Sequence, residues 1–166
     1  MTTYIIIAIA VCALAGVSFW IYRKKYMPIR HTERYEDNTV KRIYTTINGV
    51  MSGQELTYYP NGKLASCVEW AGGEKVGPYT EYYDNGQEKQ KGEYKAKMKI
   101  GERYVYYPIG NINKKQSVLN DIPHGHFSVF FPNGEVYIDG NYSNGKLSGE
   151  YIVYALNGGV KLQKHY

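Results

Sequence analysis

Residues 77–86 read GPYTEYYDNG, and this pattern recurs along the chain at a fixed spacing. The other copies are GQELTYYPNG (53–62), GERYVYYPIG (101–110), GHFSVFFPNG (125–134) and GEYIVYALNG (149–158). The copies begin at Gly53, Gly77, Gly101, Gly125 and Gly149, so each start number exceeds the one before it by 24, with no insertion. A fixed period of this length is typical of repeat proteins.

Each repeat has the composition of one β-hairpin. The residues before each turn are rich in Tyr, Phe and Val, which favour strands. Pro-Asn-Gly, as at residues 60–62, fits a type I turn closed by a left-handed glycine. A second strand follows, and Ser143-Asn144-Gly145-Lys146 is typical of the turn that leads into the next repeat. One repeat therefore predicts two antiparallel strands.

The period predicts an all-β fold, an elongated and twisted antiparallel sheet of about ten or eleven strands stabilised by contacts between neighbouring hairpins. Residues 47–53 resemble residues 143–149, four periods later, so a half-repeat is expected from about residue 40. The repeat domain then covers residues 40–166. Residues 26–39 show no clear period and contain Pro28, which predicts a linker.

The N-terminus has the composition of a membrane anchor. Residues 4–22 read YIIIAIAVCALAGVSFWIY, without a charged side chain. As a helix they would span about 28 Å, close to the apolar thickness of a bilayer. We therefore predict one transmembrane helix, with residues 1–25 forming the anchor and its basic flank. A cleaved signal peptide ending near Ala15 and a lipoprotein signal at Cys12 are the alternatives.

The charge distribution predicts the topology. Residues 23–42 hold seven Lys or Arg and three acidic residues, whereas residues 43–166 hold 13 basic and 12 acidic residues. The positive-inside rule places the repeats in the cytoplasm, as part of a single-pass protein of the cell membrane. Arg23, Lys24 and Lys25 are expected to contact anionic lipids or to act only as a stop-transfer flank. The nearly neutral repeats argue against nucleic acid as a partner.

The unit G-x-x-x-x-Y-Y-x-N-G, followed by G-x-Y and N-G-K-x-x-G, resembles the MORN repeat. It is most similar to the bacterial variant found in YwqK-type antitoxins. The best copies are residues 77–94 and 125–149, whereas the third repeat has Ile109 in place of Asn and Gln116-Ser117-Val118 in place of G-x-Y. The resemblance implies a hairpin sheet, a role in protein or membrane association, and neutralisation of a toxin. It implies no catalytic residue.

Aromatic side chains recur at two adjacent positions of the repeat. Because neighbouring strand residues point to opposite faces, an aromatic ladder is expected along each face. The first ladder holds the candidate binding residues Tyr58, Tyr82, Tyr106, Phe130 and Tyr154. The second holds Tyr59, Tyr83, Tyr107 and Phe131, with Ala155 at its last position. Both ladders also fit cross-strand packing, and an exposed aromatic row would mark a binding surface.

No pattern in the sequence predicts catalysis, and we expect neither an enzyme nor a cofactor. His124 and His126 could share a strand face, but no clear third ligand accompanies them, so no metal site is predicted. The expected function is a membrane-anchored, non-catalytic module that binds a protein, with a toxin or effector as the partner that the resemblance implies. The alternatives are a protein that binds cell-wall carbohydrate or choline and a self-associating membrane scaffold.

Overall fold

The computed structural model describes residues 27–166, which form one open antiparallel sheet of 13 strands. The strands are β1 Ile29–Arg34, β2 Val40–Ile47, β3 Val50–Met51, β4 Gly53–Tyr58, β5 Leu64–Ala71, β6 Glu74–Tyr82, β7 Glu88–Lys95, β8 Met98–Tyr106, β9 Ile112–Leu119, β10 Ile122–Phe130, β11 Val136–Ser143, β12 Lys146–Tyr154 and β13 Val160–His165. Each strand pairs with its neighbours in the chain, except that β4 pairs with β2 and the two-residue β3 pairs with β2 alone. The predicted all-β antiparallel architecture is confirmed.

The sheet begins earlier than the sequence predicted. Ile29–Arg34, inside the segment assigned as a linker, forms β1 and pairs antiparallel with β2. The linker assignment is therefore wrong for these residues, and the sheet has more than the ten or eleven strands expected. The period does extend here, because Tyr35 lies one full period before Tyr59. Asn38, with φ of 68°, holds the place that a left-handed glycine holds in later repeats.

The predicted helix at residues 4–22 and its basic flank lie outside the described residues. Within residues 27–166, no helix has the length and apolar character needed to span a membrane.

The turn inside each hairpin has the predicted geometry. The Gly62 N–H donates to the Tyr59 carbonyl, 2.9 Å away, and Gly62 has φ of 80°. The same bond forms in the third repeat, from Gly110 to Tyr107 at 2.8 Å, although Ile109 replaces the usual Asn. The turn is retained because its hydrogen bond uses the backbone and its left-handed residue is still glycine.

The turns between hairpins require two successive residues with positive φ, as in type I′ turns. Asn144 and Gly145 have φ of 50° and 82°, and both residue types adopt this conformation readily. In the turn between β7 and β8, however, Ala96 and Lys97 have φ of 47° and 62°. This region is sterically unfavourable for residues that carry a Cβ. The backbone of Ala96 and Lys97 is therefore strained in this turn.

The sheet has only a thin apolar core. The apolar side chains buried in residues 27–166 are Val68, Tyr79, Val118 and Phe127, and none of them is less than 2% exposed. Most domains bury such side chains between two packed layers. Here a single sheet supplies the core, so the side chains that cover these four residues belong to the same sheet face.

Candidate functional site

The two faces of the sheet carry different side chains. The front face is the one on which Tyr79, Arg103 and Phe127 lie, each at the third position of its repeat. The back face is the one on which Tyr104 and Tyr106 lie, because successive residues of β8 alternate between faces. On the back face, the Lys91 Nζ lies 5.2 Å from the centre of the Tyr106 ring.

The five predicted ladder residues lie at equivalent places on the back face. Each one ends a strand, and each is half-buried. Their partners across the strand pair are Leu64, Glu88, Ile112, Val136 and Val160. The structure therefore brings Tyr58, Tyr82, Tyr106, Phe130 and Tyr154 into one repeating row along the sheet.

The second predicted ladder lies in the turns rather than along a face. Tyr59 and Tyr83 follow the last residues of β4 and β6. Their hydroxyls donate to the carbonyls of Tyr82 and Tyr106, over 2.6 Å and 2.8 Å. The equivalent bonds run from Tyr35 to Tyr58 and from Tyr107 to Phe130. These tyrosines thus fasten each hairpin to the next one.

The front face has a row of its own that the repeat pattern does not predict. Its central row runs across the strands through Tyr79, Gly92, Arg103, Gln116 and Phe127. The Tyr79 ring lies over Gly92, where an added Cβ would be 3.0 Å from the ring, and Phe127 covers Gly140 in the same way. This position holds His, Glu, Tyr, Arg, Phe and Tyr in successive repeats, so no single residue type marks it in every repeat. The paired glycines at residues 92 and 140 were the available signal.

A carboxylate anchors one end of the front face. Glu55 is only 8% exposed. Its Oε1 accepts a hydrogen bond from the Arg42 Nε at 2.5 Å, and its Oε2 accepts one from the Trp70 Nε1 at 2.7 Å. Both oxygens of this buried charge therefore have a donor, as buried carboxylates require. The group is a structural ion pair that holds β2, β4 and β5 together.

Lysine side chains cover the aromatic rings of the front face. The Lys99 Nζ lies 4.9 Å from the centre of the Tyr79 ring, and the Lys75 Nζ lies 5.5 Å from the centre of the Tyr94 ring. These distances are within the range of cation–π contacts. A shallow groove of about 200 Å³ runs beside them, with Glu55, Lys75, Tyr79 and Tyr94 in its lining.

Three cations lie further along the front face, with Arg103 close enough to both lysines to affect their charge. Lys99 and Arg103 lie on β8, and Lys114 lies on β9 next to Phe127, with its Nζ 5.4 Å from the ring centre. An Arg103 terminal nitrogen donates to the Gln90 Oε1 at 2.6 Å. Burial, together with the charge of Arg103, lowers the pKa of both Lys99 and Lys114. We call Lys99, Arg103 and Lys114 the cationic cluster.

The two neighbouring histidines have separate partners. The His126 Nε2 lies 2.8 Å from the Asp139 Oδ1, and the His124 Nδ1 accepts a hydrogen bond from the Asn144 N–H at 3.4 Å. Asp139 also accepts a hydrogen bond from the Ser128 hydroxyl. No group of three or more His, Cys, Asp or Glu side chains in residues 27–166 is arranged to hold a metal ion.

Three segments of the sheet are similar to a known repeat family. A family model described as the MORN repeat variant matches residues 51–71, 75–96 and 123–144. The matched segments correspond to β3–β5, β6–β7 and β10–β11, so each covers one hairpin of the sheet. No curated protein matches the chain.

Proposed function

We propose that this MORN-repeat sheet is a non-catalytic module that binds another protein and is held at a membrane by residues 4–22. The observation that carries the proposal is the single layer of the sheet. Within residues 27–166 neither a helix nor a second sheet packs on it, so the back-face row of ladder residues remains partly exposed. Partly exposed aromatic rows are typical of surfaces that bind partners.

The chemistry of the described side chains also supports binding. The buried Glu55 carboxylate already accepts hydrogen bonds from Arg42 and Trp70, so both of its oxygens are engaged within the sheet. The grooves are shallow and open, whereas sites for small substrates are usually enclosed. A sheet face that no second layer covers suits contact with a protein surface. The five ladder residues, Tyr58 through Tyr154, are proposed as the back-face part of this contact.

The location of the module is the second part of the proposal. The uncharged stretch at residues 4–22 supports one membrane span, and the basic residues after it support a cytoplasmic position of the sheet. Protease protection of a C-terminal tag, in intact and in permeabilised cells, tests this position. Digestion in intact cells would contradict it and would favour a protein that binds the cell envelope.

The identity of the partner is the finest part of the proposal. The likeness of residues 77–94 and 125–149 to the repeats of YwqK-type antitoxins supports a toxin or effector domain as the partner. Co-expression with the product of an adjacent toxin gene tests this idea, with growth as the readout. Growth arrest that the full-length chain fails to relieve would reject the antitoxin role and leave the binding role intact.

Site-specific photo-crosslinking tests the binding role itself. We would place a photoreactive phenylalanine analogue at Tyr94 on the front face, at Tyr106 on the back face, and at the exposed Tyr137 as a third position. The expected result is one partner protein that crosslinks from at least one of the two faces. The absence of any crosslinked protein from all three positions would contradict the proposal. Crosslinks only to a second copy of the chain would favour the scaffold alternative.

A further inference from the structure

The cationic cluster on the front face lacks the acidic partners that the back-face lysines have. On the back face, the Lys91 Nζ lies 3.0 Å from the Glu88 Oε2 and the Lys115 Nζ lies 2.7 Å from the Glu102 Oε1. None of the ion pairs in residues 27–166 includes Lys99, Arg103 or Lys114. In the described residues, none of these three front-face cations therefore has a carboxylate within ion-pair distance.

Two hydrogen-bond donors next to this cluster are also unsatisfied. Tyr79 is 4% exposed, and its hydroxyl has no hydrogen-bond partner in the described part of the chain. The Arg103 Nε is buried and lacks a partner as well. Buried donors without an acceptor are costly, and native structures keep few of them. The front face around Tyr79 and Arg103 thus has unpaired hydrogen-bond donors and an excess of positive charge. A negatively charged acceptor would satisfy both.

The nearest acidic groups do not supply this acceptor. Glu81 and Asp121 are close enough to Lys99 to raise the pKa of its ammonium group, yet burial and the charge of Arg103 dominate, and the net direction is downward. Asp121 instead accepts a hydrogen bond from the Lys99 backbone N–H, 3.2 Å away. The pKa of Lys114 is lowered in the same way, by burial and by Arg103. Both ammonium groups would gain stability from an added anion.

We propose that the cationic cluster binds a carboxylate side chain from an acidic segment of the partner protein. This inference rests on the binding role proposed above and specifies the chemistry of its partner. A carboxylate accepts several hydrogen bonds. It also carries the negative charge with which Lys99, Arg103 and Lys114 could form ion pairs. The Lys99 ammonium group lies over the Tyr79 ring, so movement of this flexible side chain would expose the ring to the ligand.

The surroundings favour a peptide over a lipid surface. Tyr79 and Tyr94 lie beside Lys99, and Phe127 lies beside Lys114. Their rings offer apolar contact to the residues on either side of the carboxylate. Lysines that bind anionic membranes act through exposed ammonium groups that reach the headgroups. Lys99 and Lys114 are half-buried instead.

The test uses the full-length chain and a fluorescent peptide of repeated Glu-Tyr-Gly units. The peptide with Gln in place of Glu controls for the aromatic contribution, and vesicles that contain phosphatidylserine represent the lipid alternative. The double variant Lys99→Met, Lys114→Met removes two charges and keeps the apolar stems. Its matched control is Lys91→Met, Lys115→Met on the back face, where both lysines have a glutamate partner.

We expect the front-face variant to weaken binding of the Glu peptide by about tenfold, since each partly buried pair contributes a fraction of the 1.4 kcal/mol that a tenfold change represents. The back-face variant should bind the Glu peptide as tightly as the unmutated chain does, which would show that the effect needs Lys99 and Lys114. The Gln peptide should bind more weakly than the Glu peptide, which would show that the effect needs the carboxylates. Equal losses in both variants would overturn the proposal. Binding of vesicles but not of the Glu peptide would overturn it in favour of a lipid site.

A measurement on the unmutated chain covers the case in which the double variant fails to fold. The pKa values of the Lys99 and Lys114 ammonium groups, followed by NMR of the adjacent methylene, should rise when the Glu peptide binds. Unchanged pKa values in the presence of saturating peptide would reject the site. If the photo-crosslinked partner still crosslinks to the front-face variant at undiminished yield, the carboxylate site fails while the binding role stands.

Discussion

The hydroxyl of Tyr59 donates a hydrogen bond of 2.6 Å to the backbone carbonyl of Tyr82, in the next hairpin of the sheet. The bond leaves the turn of one repeat and ends on the last strand residue before the turn of the following repeat. It therefore couples two hairpins through the backbone rather than through side-chain packing. Phe131 and Ala155 have no hydroxyl at this position, so the last two hairpins lack the equivalent donor.

We expect removal of one of these hydroxyls to destabilise the sheet. Tyr83→Phe deletes the donor to the Tyr106 carbonyl and should lower the free energy of unfolding by about 1 kcal/mol. The reciprocal change, Phe131→Tyr, supplies a donor aimed at the Tyr154 carbonyl and should raise it by a similar amount. Urea unfolding of both variants measures the two effects. A stabilising Tyr83→Phe would contradict the role that we assign to these bonds.

The turn between β7 and β8 should become more stable when it carries the Asn-Gly pair that another turn between hairpins has. Ala96 and Lys97 are left-handed and each carries a Cβ that is unfavourable there. Replacing them with Asn-Gly should raise the free energy of unfolding by roughly 2 kcal/mol. Lys97 also forms an exposed ion pair with Glu74, whose loss costs little. Asn144-Gly145→Ala-Lys is the inverse control and should lose a comparable amount. Thermal unfolding of the two variants decides whether turn strain is present.

Gly140 should tolerate no side chain. An added Cβ would lie 2.9 Å from the Phe127 Cε1, which belongs to a ring only 3% exposed. We expect Gly140→Ala to cost about 1–3 kcal/mol, because the ring has to leave its buried position. Gly159→Ala is the matched control, since its nearest contact is the Asn157 side chain on an exposed loop. Similar unfolding midpoints for the two variants would show that Phe127 moves freely.

Tyr79 should make the sheet sensitive to alkali. Burial raises the pKa of this phenol to about 12, and the charge of Arg103 only partly opposes the shift. The unfolded chain releases the same proton near pH 10, so the stability from Tyr79 is complete below pH 10 and is lost as the pH rises toward 12. Tyr79→Phe should flatten this loss and cost little at neutral pH, because the hydroxyl has no partner in the described part of the chain.

Unfolding free energies at pH 7 and at pH 11, for both proteins, measure the effect of Tyr79→Phe. The variant and the unmutated chain should differ less at pH 7 than at pH 11. Parallel pH profiles would indicate that the phenol ionises in the folded state as easily as in the unfolded chain.

The sequence predicted the parts of the fold that each repeat encodes by itself. The strands, the left-handed glycines such as Gly62, and the period all follow from local residue preferences. The first strand was not predicted because Ile29 and Asn38 occupy positions that hold glycine in later repeats, although Tyr35 lies at the position of a repeat tyrosine. The residues of the cationic cluster could not be predicted from local patterns. Arg103 and Lys114 meet only through strand pairing, and their positions hold other residue types in neighbouring repeats.

The hydrogen bonds from tyrosine to the next hairpin have a consequence for the evolution of chain length. Each hairpin contributes two strands to the width of the sheet, and it is attached only to the hairpins beside it. Gain or loss of one whole repeat would therefore change the span of the sheet by a fixed step and leave every remaining junction intact. The distance from the first strand to the last is thus set by the number of repeats.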